Sequence, residues 1–155
     1  MRREWGRAAG IFALTLLLLQ ALVLASWLAG LALMLPSWAS STALILGCRD
    51  VPAARPRAAS LSHLVCGATG VAAFLLAGPA AHPLALWLAA PAVAVGVALM
   101  WALRCYHPPA AANAAIPFFT PASMMVYAGA VTLGAALLLL ATLALDRADP
   151  QPAPA

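Results

Sequence analysis

The run RCYHPPAAANAAIPFF at residues 104–119 sets Arg104, His107, Pro108, Pro109 and Asn113 among alanines. A second polar group, Ser37, Ser40, Ser41 and Thr42, follows Pro36 in PSWASSTALILG, and His63 stands in SLSHLVCGATGV. These side chains offer hydrogen-bond donors and no carboxylate, which suits a small anion better than a cation. Proline at the first helical position needs no N–H partner, so Pro36 and Pro108 each predict the start of a short helix whose N-terminus faces an anion. Asn113 lies one turn after Pro109, and Ser37 and Ser41 share a helix face at i, i+4. His63 shares a face with Gly67 and Gly70, where absent side chains permit close backbone approach. An ordinary imidazole pKa is about 6.5, so His63 and His107 could take up a proton alongside the anion.

Plainer roles compete with each of these. Arg104 and His107 could form an interfacial cap with the arginine snorkelling to headgroups. His63 could make a helix-to-helix hydrogen bond, the serines could bond back to their own helix, and Arg55 and Arg57 could be topology markers. His82, in GPAAHP, reads as a solvated loop residue. Enzymatic classes find no support: there is no nucleophile with a matched base, no HExxH and no phosphate-cradling glycine loop. The four acidic residues, Glu4, Asp50, Asp146 and Asp149, lie outside every proposed span. Cys48, Cys66 and Cys105 form no CxxC pair and read as small apolar fillers, so neither a metal nor a cofactor is expected. Eight arginines and no lysine, spread along the chain, make no nucleic-acid stripe.

The elements that position these residues follow from the solvent. With 65% hydrophobic and 8% charged residues, the chain has more apolar surface than a small soluble core could hide, so the lipid bilayer is its partner. Four stretches, about 8–35, 60–78, 84–104 and 122–145, approach or exceed the roughly 20 apolar residues that span a bilayer. The first is too long for a signal peptide. The expected fold is all-α: four full transmembrane helices plus two short Pro-initiated half-helices, in an internal inverted repeat with halves at about 8–78 and 84–145. The Pro-rich end, 146–155, reads as a disordered polar tail. Tryptophans at 5, 27, 38, 87 and 101 fall mostly near proposed helix ends, where an indole suits the headgroup layer.

Charge placement leaves two topologies open. If the short segments re-enter, Arg49, Arg55, Arg57 and Arg104 lie outside, against the positive-inside bias. If they cross, all eight arginines are cytoplasmic, although 12 helical residues cover only roughly 18 Å of a core of about 30 Å. Both arrangements put the two termini in the cytoplasm, and the charge bias favours crossing.

LMWALRCYHPPAAANAAIPF resembles the signature of the HPP family of integral membrane proteins, in which a helix ending in Arg leads into His-Pro-Pro and small residues. PSWASSTALILGCRDVPAARPR and SLSHLVCGATGV resemble two further segments of that family in the same order, so the likeness covers about residues 36–140. Ala111 and Asn113 depart from the Gly and Thr usual after the second Pro, and Trp38 stands where Phe is common. The resemblance implies a helical bundle of about four spans and, through members associated with nitrite transport, a small-anion transporter or channel. A non-transporting membrane scaffold or regulatory subunit is the alternative. Four spans enclose little room, so a homo-oligomer is allowed for, with Ala130 and Gly134 as a contact face. The Ala- and Leu-rich, lysine-free composition suggests a bacterial plasma (inner) membrane.

Overall fold

The structure is a computed structural model that describes residues 2–29, 36–77, 85–119 and 123–148. His82 and most of the polar tail lie outside the described residues. Five α-helices account for most of the rest: α1 (Arg2–Ala29), α2 (Pro36–Gly47), α3 (Pro56–Ala77), α4 (Ala85–Ala102) and α5 (Met124–Ala148). Short 3-10 helices occupy Pro52–Ala54, Pro108–Ala114 and Ile116–Phe118. The chain is all-helical as expected. Two helices, α3 and α5, are long and apolar enough to cross a bilayer, and shorter apolar stretches lie at Ala9–Ala21 and Trp87–Ala102.

Local chemistry sets the boundaries. Pro56 opens α3, where an absent N–H costs nothing, and the Arg55 carbonyl accepts from Ala59 N at 2.9 Å. Ser123 opens α5, its hydroxyl accepting from Val126 N at 3.2 Å as an N-cap does. At the end of α4, Cys105 N donates to Met100 O and Arg104 N to Trp101 O, the paired bonds of a Schellman closure. Arg104 therefore takes the left-handed conformation, φ 53°, that glycine usually fills.

Two contacts orient the bundle. Arg49, just past α2, pairs with Asp146 near the end of α5 at 3.3 Å, and Arg57 at the start of α3 reaches Leu103 O, just past α4. The ends of α2, α4 and α5 and the start of α3 thus share one end of the molecule, which carries Arg49, Arg55, Arg57, Arg104 and Arg147. From that end, residues 105–119 lead the chain away along α3. Their contacts follow this path: His107 meets Ala53 beside the arginines, Ala114 lies against Gly70, and Phe118 packs edge-on to Phe74, near the far end of α3. The described part of this stretch, residues 105–119, thus crosses the bundle alongside α3.

The crossing segment is not the α-helical half expected after Pro108. It winds as a seven-residue 3-10 helix, whose rise of about 2.0 Å per residue covers more depth than an α-helix of equal length. Pro117 also bars an α-helical continuation beyond the segment. An α-helix would bond Asn113 O to the N–H of residue 117, which proline lacks, and its ring would clash with that carbonyl. Tyr127 supplies the missing donor, its hydroxyl bonding to Asn113 O. Pro36, by contrast, starts a regular 12-residue α-helix, so the two short segments differ in winding and length.

Small residues let these parts close. A Cβ added at Gly70 would lie 2.8 Å from the carbonyl oxygens of Asn113 and Ala114, so the crossing backbone lies directly on α3. A Cβ at Gly134 would lie 2.7 Å from Trp38 Cε2. Gly134 and Ala130 are therefore occupied within the chain and do not form the exposed oligomer face that their spacing suggested; Ala130 is 1% exposed. Trp38, expected among headgroups, is fully buried between α3 and α5, whereas Trp87 and Trp101 are 77% and 71% exposed toward the two ends of α4.

Gly70→Ala should lower stability by about 1–3 kcal/mol, because backbone rather than a flexible side chain must move. Gly10→Ala, where nothing lies within 4 Å, should leave stability unchanged or raise it. Unfolding of the two purified variants in mild detergent checks both outcomes.

Candidate functional site

Where α2, α3 and the crossing segment meet, five polar side chains join in one buried network. Ser41 Oγ is its centre, 2.8 Å from His63 Nε2 and 2.8 Å from His107 Nε2, and it also donates to Ser37 O at 2.7 Å. His63 Nδ1 accepts from Asn113 Nδ2 at 2.9 Å, and Ser37 Oγ donates to Asn113 Oδ1 at 2.5 Å. At the arginine end, His107 Nδ1 donates to Ala53 O at 2.6 Å. His63, His107, Asn113 and Ser41 are all 0% exposed.

Helix geometry explains the convergence. Ser37 and Ser41 lie one turn apart on α2 and present both hydroxyls to the same neighbour. His63 is seven residues into α3, about 10 Å along its axis at 1.5 Å per residue. His107 is the extended residue before Pro108, φ −140° and ψ 92°, and the conformation that proline imposes on its predecessor turns its ring inward. The 3-10 winding then brings Asn113 onto His63. Trp38 closes the cluster by stacking on His63, with ring centroids 4.0 Å apart and planes inclined by 23°.

Of the residues singled out in the sequence, Ser37, Ser41, His63, His107 and Asn113 are brought together. Arg104 is not: its side chain is exposed at the left-handed cap of α4, a position fixed by backbone closure. Ser40 is exposed as well and bonds back to Pro36 O at 3.4 Å. Pro108 is exposed and Pro109 half-buried. As the first residues of the 3-10 helix they bring no N–H, and the next amide, Ala110 N, bonds to His107 O at 3.0 Å. This N-terminus therefore lacks the free donors that an anion seat requires, and the paired prolines serve to turn the chain. Three participants were missed: Trp38, Tyr127 and the Ala53 carbonyl. For Tyr127 a signal existed, since a tyrosine inside an apolar span needs a partner for its hydroxyl.

The geometry is that of a multi-helix membrane protein with a polar centre built around His-Pro-Pro. The family description "HPP, transmembrane region" matches residues 2–154, and the chain belongs to this family of multi-pass membrane proteins. No curated protein and no solved structure matches it.

Tyr127→Phe would leave the buried Asn113 carbonyl without its donor, at a cost of about 1–3 kcal/mol. Arg104→Gly would relieve a left-handed strain of about 1–2 kcal/mol and should keep or raise stability. Thermal unfolding of the two variants should move in these opposite directions.

Proposed function

We propose that the chain carries a small inorganic anion, nitrite or one of similar size, across the membrane, with the network around Ser41 as the place where the anion or its proton is handled. One observation supports this most: the polar centre inside the apolar bundle is built of imidazole, hydroxyl and amide groups, and among the described residues no carboxylate bonds to it. Such a lining can donate to an anion and gives a bare cation no counter-charge. In this reading α1 and α4 complete four spans with α3 and α5, and the arginine end faces the cytoplasm. The described conformation is the occluded one, because the cluster is sealed by Trp38 and by the crossing segment.

The role first assigned to Arg104 passes to Ser41 and Asn113. Purified protein in liposomes should move nitrite down its gradient. Ser41→Ala and Asn113→Ala should reduce the rate roughly tenfold or more, consistent with one hydrogen bond to a charged group. Arg104→Gly and Ser40→Ala should keep it. Absence of flux for nitrite, nitrate, chloride and formate alike would favour the membrane scaffold.

A further inference from the structure

The hydrogen bonds around Ser41 leave room for one proton more than the neutral side chains carry. Ala53 O can only accept, so His107 Nδ1 carries a hydrogen. Asn113 Nδ2 can only donate, so His63 Nδ1 is bare, and a neutral His63 has its hydrogen on Nε2, pointing at Ser41. The single hydroxyl hydrogen of Ser41 then faces two acceptors, Ser37 O at 2.7 Å and the bare Nε2 of a neutral His107 at 2.8 Å. Turning the Asn113 amide over does not help: His63 Nε2 would become a third acceptor for the same hydrogen. With one added proton at His107 Nε2 all three contacts become hydrogen bonds at once, since Ser41 Oγ then accepts from both imidazoles and donates to Ser37 O.

We propose that the Ser41 cluster is a one-proton binding site. A proton taken up at His107 Nε2 turns the Ser41 hydroxyl from that nitrogen onto the Ser37 carbonyl, and loss of the proton turns it back. The cluster thus alternates between a neutral and a singly positive state with no movement of the backbone.

The groups around it set the balance. From α3 come His63 and Cys66, and at that helix's start Arg55 and Arg57; beyond α4 comes Cys105; from α5 comes Tyr127, bonded to Asn113 O. Arg49 follows α2 and is paired with Asp146 of α5 at the end of the bundle. Among the described residues no carboxylate bonds to the cluster, so none of them neutralises the positive state. A small anion entering with the proton would complete it, and anion and proton would cross together. This last consequence rests on the transport reading above; the proton site itself does not.

The test is nitrogen-detected NMR on the full chain with labelled histidine in lipid bilayers. A His82→Gln background leaves only the two cluster imidazoles, observed between about pH 5 and pH 9. His107 should carry hydrogen on both nitrogens at the acid end and on Nδ1 alone at the alkaline end, while His63 keeps its hydrogen on Nε2 throughout. Ser41→Ala should weaken proton uptake at His107 roughly tenfold or more, and Ser41→Thr, which restores a hydroxyl, should recover it. An unchanging His107, protonation at His63 instead, or titration of folded Ser41→Ala matching the parent overturns the proposal. Should Ser41→Ala not fold, the parent and Ser41→Thr spectra decide alone. His107 titration without anion flux overturns only the transport reading, whereas flux without that titration overturns only the proton site.

Discussion

A polar group taken out of water must find a partner, and a break in a helix inside a membrane creates several such groups at once. This constraint governs the crossing segment. Its prolines remove amide donors, Pro117 strands the Asn113 carbonyl, and His107 and Asn113 bring further polar atoms into the apolar interior. The rest of the bundle is arranged to answer them. The Ala53 carbonyl, Ser41, His63, Ser37 and Tyr127 come from four different parts of the chain and meet these groups one by one.

Packing and pairing support each other here. The crossing segment can reach its partners only because Gly70 lets its backbone lie on α3, and α2 can reach His63 only because Gly134 accepts the Trp38 indole. Trp38 in turn lies over the His63 ring and helps hold it in line with both Ser41 and Asn113. A compact 3-10 segment made largely of alanine gives the close approach that long side chains would prevent. The result is a polar core that is both closed and fully buried, located between the arginine end and the middle of the bundle.

Much of this was legible in the sequence. Composition gave the solvent, the ordered motifs gave the family, and the rarity of polar residues in apolar runs drew attention to Ser37, Ser41, His63, His107 and Asn113. Other features depended on tertiary partners that spacing does not encode. Ala130 and Gly134 read as an oligomer face because small residues at i, i+4 look alike whether the neighbour is another copy or another helix of the same chain. Arg104 read as an anion ligand because nothing in its type announces a left-handed helix cap. That the Asn113 carbonyl needs an outside donor was readable in principle, since Pro117 sits four residues after it, but the hydroxyl that compensates lies in the next helix.

If these side chains form one network, Ser41 and Asn113 should depend on each other although they do not touch, because both hold His63. A double-mutant cycle of Ser41→Ala and Asn113→Ala on unfolding stability measures that dependence. A shared network predicts a coupling of about 0.5–3 kcal/mol. Strictly additive losses would mean that the two residues act alone and that the buried polar centre is not a unit.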